Sequence, residues 1–304
     1  RPDAPVELAI LQATVQQGRH AFGPARKVLE AALARAPDHA QGWLDLAALD
    51  RVEGNFPKAL LACEAVARAG QRLYAQACNL ETTSLQGQKQ ASDGFRRLLA
   101  GLPSRGAESQ HSYLNSLLAE SDERAGRDAA ARAAYTASLA AENDLYTVIA
   151  FSDLLLRIGD NRAVVKLLAG QPLTDAVLLR QALAQRRLND PQWQATRTEL
   201  HEREAALDRR GDDLNLHDRE RALLALWLDD APPRALELAQ RNLQLQREPV
   251  DWLIALQSAR AANDKAAHAD LLRRVQAIGL QDARLAALAS RPASMPAPAG
   301  EKKP

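Results

Sequence analysis

The chain has 304 residues, 46% of them hydrophobic, enough to bury a sizeable core in one large domain or two ordinary ones. Its 39 basic and 38 acidic residues leave a formal net charge of +1, so no strong field gathers phosphate backbones or anionic lipid, and nucleic acid is not an expected partner. Alanine and leucine dominate the apolar set, aromatic residues make up only 4%, and nearly all the positive charge is arginine, which is helix-forming chemistry.

In chain order, apolar periodicity and turn residues predict helices near 5–17, 21–35, 40–53, 56–69, 72–85, 89–100, 108–124, 128–140, 145–158, 161–169 and 175–188. Further helices follow near 191–210, 216–229, 232–246, 250–262 and 265–278, with a short last one near 281–289. Gly54, Gly126, Gly159 and Asp230 are expected to close the first helix of a pair, and Pro57, Pro191 and Pro232 to sit where the next helix begins and needs no amide donor. Residues 290–304, rich in Pro and Ala, have the composition of a chain that cannot form a core and are expected to be disordered. No window approaches the roughly 18 consecutive apolar residues of a membrane span. The sequence begins at Arg1 and its only methionine is Met295, so a start codon upstream and a removed signal peptide or lipoprotein leader are expected.

One run repays closer reading: Trp43, Leu46 and Ala47, then Gly54 and Phe56, then Ala59, Cys63 and Val66. About 34 residues earlier, Ala25, Leu29, Ala32 and Pro37 take the register of its second half. Further on, Leu118, Ala119, Gly126, Ala131 and Tyr135 repeat the pattern, as do Ala222, Leu223, Ala235 and Ala239. Weaker copies cover Ala77–Leu99, Ile149–Leu168 and Trp252–Leu272. The pattern resembles the tetratricopeptide repeat (TPR), departing from it at Asp50, where the pattern has Tyr, and at Cys63, where it has Phe. The resemblance implies an all-α fold, a right-handed α-solenoid of antiparallel helix hairpins that bury their apolar stripes by stacking. TPR-like repeats are expected over 1–170 and 216–289, separated by an irregular, charge-dense segment at 171–215. "ALELAQRNLQLQREPVDW" from Ala235 and "HDRERALLAL" from His217 also resemble the C-terminal part of TPR proteins that proteobacteria export, which implies a periplasmic or cell-envelope location.

In this register Cys63 and Cys78, the two cysteines, lie about two turns either side of the loop near Arg68–Gln71 on antiparallel helices, so a disulfide is favoured over two buried small hydrophobes. A bond would place the chain in an oxidising compartment. A catalytic thiol is not supported, because no histidine is near and the flanks are alanine and leucine. The six histidines lack helical metal-ligand spacing, and "HERE" at His201 lacks the second histidine of HExxH. No phosphate-binding glycine loop or G-x-S-x-G elbow is present, so no metal, cofactor or catalytic residue is assigned.

A solenoid of this kind lines its concave side with the first helix of each pair. The candidate groove residues are Gln41, Asp45, Tyr113, Ser116, Glu120, Tyr146, His217, Glu220 and Trp227, with Tyr113 and Tyr146 at equivalent places in neighbouring hairpins, serving either the groove or an inter-repeat seam. The carboxylate clamp of the best-known TPR grooves is absent, since Leu44, Ala48, Ser116 and Glu120 stand at its places; Asp45, Glu120 and Glu220 suit a basic or neutral polypeptide better. The expected function is a non-enzymatic scaffold that binds a protein or peptide in this groove. Two other readings stand beside it: a structural subunit or homo-oligomer packing through convex or end faces, and a small active site at Glu199, His201 and Glu202.

Overall fold

The computed structural model describes residues 5–290, so the expected tail lies outside the described residues except for Ser290. Among them the chain is all helical and forms a solenoid. The first hairpins are Val6–Gly18 (α1) with Phe22–Arg35 (α2), Ala40–Val52 (α3) with Phe56–Arg68 (α4), Arg72–Leu85 (α5) with Ala91–Ala100 (α6), and Glu108–Arg124 (α7) with Asp128–Ala141 (α8). Leu145–Arg157 (α9) pairs with Asn161–Leu168 (α10), and Asp175–Arg187 (α11) with Gln192–Arg209 (α12). A 3-10 turn at Leu214–His217 leads into Asp218–Trp227 (α13) and Pro232–Asn242 (α14). Pro249–Ala261 (α15), Lys265–Ala277 (α16) and Ala283–Ser290 (α17) end the array.

The boundaries follow from capping chemistry. Asn55, Asp144, Asp160, Thr174 and Asp264 each accept a backbone N–H from the first turn of the helix they open, meeting donors that have no partner inside the helix. Pro57 and Pro232 lie in the first turn, where no amide is needed. Gly54, Gly126 and Gly159 have positive φ and turn the chain back after the first helix of a pair, and Asp230 does the same without being glycine.

Each seam between consecutive hairpins carries a guanidinium–carboxylate pair. They are Arg26–Asp50 (2.7 Å), Arg51–Glu81 (2.9 Å), Arg96–Asp122 (2.8 Å), Arg157–Glu123 (3.2 Å), Arg180–Asp153 (2.7 Å), Arg221–Glu204 (2.6 Å) and Arg219–Asp251 (2.7 Å). Asp50, the departure from the repeat pattern, is thus the buried acceptor of the first seam. Removing one member of such a buried pair leaves the other uncompensated, typically at a cost of about 3–5 kcal/mol.

Cys63 on α4 and Cys78 on α5 are disulfide-bonded, with Cα atoms 5.6 Å apart. Closing a loop of 15 residues stabilises by about 3 kcal/mol in the chain-entropy account. Cys63, the second departure from the pattern, therefore joins neighbouring hairpins where a phenylalanine would have filled the seam.

The solenoid also closes on itself. Between α14 and α15, the Arg247 amide donates to the Val52 carbonyl at 2.7 Å and its guanidinium to the Glu53 carbonyl at 3.0 Å. Just before α17, the Gln281 amide donates to the Leu85 carbonyl at 2.8 Å, and Arg284 in the first turn of α17 reaches Glu123 at 2.7 Å. At the other rim, His20 bonds the Leu216 carbonyl and its ring lies 6.3 Å from that of His217. Phe56 and Leu85, from the second and third hairpins, belong to the same apolar cluster as Leu223, Trp252 and Leu271. Gly87 shows how tight the closure is: with φ +80°, a Cβ there would stand 2.9 Å from Cβ of Gln281.

Candidate functional site

Closure turns the concave side into a bounded cleft of about 490 Å³. Its walls come from the first helices of four consecutive hairpins: Ala48 and Arg51 on α3, Glu81 and Leu85 on α5, Ser112 to Glu120 on α7, and Tyr146 and Thr147 on α9. The returning segment Arg247–Pro249 forms the remaining side.

Four of the sequence-predicted groove residues, Tyr113, Ser116, Glu120 and Tyr146, meet in this cleft. The Tyr146 hydroxyl donates to Glu120 Oε1 at 2.6 Å, while Glu120 Oε2 faces Arg124 at 3.2 Å. Although Tyr146 is 59% exposed, the charge of Glu120 pushes its phenol well above the usual range. Tyr113 is half-buried; its ring lies 5.9 Å from that of Tyr74 while also lining the cleft, so it belongs both to the inter-repeat seam and to the cleft wall. Burial, and then the charge of Glu81, raise its phenol. Ser116 is buried and accepts from Thr147 Oγ1 at 3.0 Å.

The other five lie elsewhere. Gln41 donates to Asp45 at 2.8 Å, and Thr14 reaches the second oxygen of Asp45, a cluster between α1 and α3. Burial raises the Asp45 carboxyl against those two hydrogen bonds. His217 stands at the rim beside His20. Glu220 is half-buried with Oε2 lacking a hydrogen-bond partner. Trp227 packs between the two largest apolar clusters and its carbonyl accepts from Arg186, a seam role.

Sequence reading missed Arg51, Glu81, Arg124, Arg247 and Glu248. Glu81 lies one turn beyond Cys78 on α5, a first helix whose repeat match is weak, and register alone could have placed it on the concave face. Nothing in the register points to Arg247 or Glu248, which arrive only through closure. Arg51 ties the site to the disulfide: one nitrogen pairs with Glu81, and another donates to Cys78 Sγ at 3.6 Å. Burial raises the Glu81 carboxyl, Arg51 opposes the shift, and the charge of Glu120 adds to it.

His201 and Glu202 are exposed and Glu199 is half-buried; Glu199 pairs with Arg203 and His201 with Asp229, and none of the three lines this cleft. Among the described residues no three His, Cys, Asp or Glu side chains converge as metal ligands, and no helix is long and apolar enough to cross a membrane.

No protein-family model matches the chain, and no curated protein matches it in sequence. Among solved structures it is similar to the crystal structure of the P58(IPK) TPR domain, with 15% identity, 90% of this chain and 98% of that chain covered, and a TM-score of 0.30.

A carboxyl raised in the folded state binds its proton more tightly there, so its contribution to stability is full below the unfolded pKa and is lost as pH rises through the folded one. The stability of the wild type relative to Glu81→Gln, measured by urea unfolding, is therefore expected to fall as pH rises through and above the usual carboxyl range. A difference that stays constant or rises across that range would contradict the assignment.

Proposed function

We propose that the chain is a non-enzymatic scaffold whose concave cleft holds a segment of a partner polypeptide in the cell envelope. The observation that carries this reading is the convergence of Tyr113, Ser116, Glu120 and Tyr146, from two neighbouring hairpins, on one bounded cleft that also reaches α3 and α5. An open aromatic such as Tyr146 gives large contact area at low entropic cost, the quality that marks energetic centres of interfaces. The Cys63–Cys78 bond supports an oxidising compartment, since such bonds persist outside the reducing cytosol.

A specific observation favours a second contact through the end face. On α1, Leu8, Leu11 and Val15 are 56%, 59% and 56% exposed along one stripe. Their register mates about 34 residues on include Gly42, packed against Ile10 and Leu33, and buried Leu49. The corresponding face of α3 is covered by the first hairpin, whereas the described residues leave this stripe of α1 uncovered, and self-association would cover it. Light scattering over a concentration series is expected to show a mass that rises with concentration and reverts to the monomer in Leu11→Asp; a concentration-independent monomer would remove this second contact.

For the cleft, a photocrosslinking residue placed at position 113 in producing cells is expected to capture a discrete protein in the envelope fraction and to lose it when Tyr146→Ala is added. Absence of any adduct from folded protein would overturn the groove reading, and an adduct confined to the cytosolic fraction would overturn the compartment.

A further inference from the structure

The lining of the central cleft is unbalanced in both charge and hydrogen-bonding capacity. Five carboxylates, Glu81, Glu120, Glu142, Asp144 and Glu248, face three guanidiniums, Arg51, Arg124 and Arg247, and a fourth guanidinium, Arg219, holds Glu248 at 2.6 Å from outside the lining. The guanidiniums are committed. Arg51 holds Glu81 and Cys78 Sγ, Arg124 holds Glu120 and Ser84 Oγ, and Arg247 holds the carbonyls of Leu243 and Glu53. One donor on Arg124, Nε–H, has no acceptor, but that atom is sealed from solvent and is not offered to an entering ligand.

Acceptors are in surplus. Glu81 engages Arg51 through Oε2 alone, and Glu142 at the mouth is exposed, with no ion pair or side-chain hydrogen bond to the described residues. Glu120 holds Arg124 by a single 3.2 Å contact and spends its other oxygen on Tyr146. The charge of Glu120 leads in raising the Tyr146 phenol, and that of Glu81 adds to the burial that raises the Tyr113 phenol. Aromatic faces beside carboxylates attract an organic cation twice, through the ring quadrupole and through the charge.

We infer that the cleft takes a cationic side chain, lysine or arginine, presented by the partner polypeptide, with its charged head between Glu81 and Glu120 and its stem against Tyr113 and Tyr146. This rests on the groove reading and narrows it. A space of about 490 Å³, closed on one side by Arg247–Pro249, holds one long side chain and its immediate backbone rather than an extended strand crossing many repeats. Specificity then comes from one charged residue and its neighbours, and salt weakens the interaction.

The test uses the intact protein and three pools of immobilised nine-residue peptides with randomised flanks and a fixed centre: arginine, its neutral isostere citrulline, or glutamate. The arginine pool is expected to retain at least about tenfold more protein than the citrulline pool, with the glutamate pool at background. In Glu120→Gln and Glu81→Gln, each confirmed as folded by circular dichroism, that ratio is expected to fall toward one. Equal retention by the arginine and citrulline pools overturns the cationic class and leaves the groove reading standing. Retention by no pool, with an empty crosslink at position 113, overturns both. Because the citrulline comparison changes only the ligand, it decides the question even if a variant fails to fold.

Discussion

Glu123, buried at the end of α7, accepts from the Tyr135 hydroxyl on α8, from Arg157 on α9 and from Arg284 at the start of α17. One carboxylate thus joins its own hairpin, the next one, and a helix more than 150 residues away. A charge taken out of water is costly unless donors surround it, so this site is stable only when all three elements are in place. Asp282, itself buried, holds the other side of the Arg284 guanidinium. A stack of hairpins has no intrinsic reason to return to its beginning; this cluster, with the Arg247 contacts and the burial of Phe56, supplies one. The concave cleft follows from it, because the returning segment Arg247–Pro249 closes the side that α3, α5, α7 and α9 leave open.

The same logic explains the charge composition. Nearly equal numbers of acids and bases normally describe a solvated surface with weak exposed pairs. Here each seam joins an arginine on one hairpin to a carboxylate on its neighbour, and Asp50, Asp122, Glu123 and Asp251 are buried where they receive it. Arginine suits the task better than lysine, since its planar fork reaches two acceptors at once, as Arg219 does with Asp251 and Glu248. The sparse aromatic content is consistent with this: seams that would otherwise be filled by large rings are closed by ion pairs, by small residues and, between α4 and α5, by a disulfide.

How far the sequence could be read follows from the range of the contacts involved. Helices and turns were legible because Gly54, Gly126, Gly159, Pro57 and Pro232 act within one turn of where they stand. Repeat register placed Tyr113 and Tyr146 on one concave surface and brought Cys63 to Cys78, since those relations span a single hairpin step. Differences arise where the chain departs from periodicity. The expected helix 216–229 begins as a 3-10 turn, in which Asp213 accepts from the Asn215 amide. The expected helix 232–246 stops at Asn242, because the backbone must unwind to bring Arg247 to Val52. Closure joins residues nearly 200 positions apart and leaves no period in the sequence, so register alone does not separate Gln41, Asp45, His217, Glu220 and Trp227 from the residues that line the cleft.

If the bounded cleft is the working surface, the contacts that bound it must persist in solution. The most direct measurement is amide hydrogen exchange at Arg247 and Gln281, two connecting residues whose N–H groups reach the carbonyls of Val52 and Leu85. Closure predicts that both exchange as slowly as amides inside α7 and α15, far more slowly than the connecting segment 101–106. Exchange as fast as in that segment would mean that the solenoid stands open, and the cleft as described would not exist.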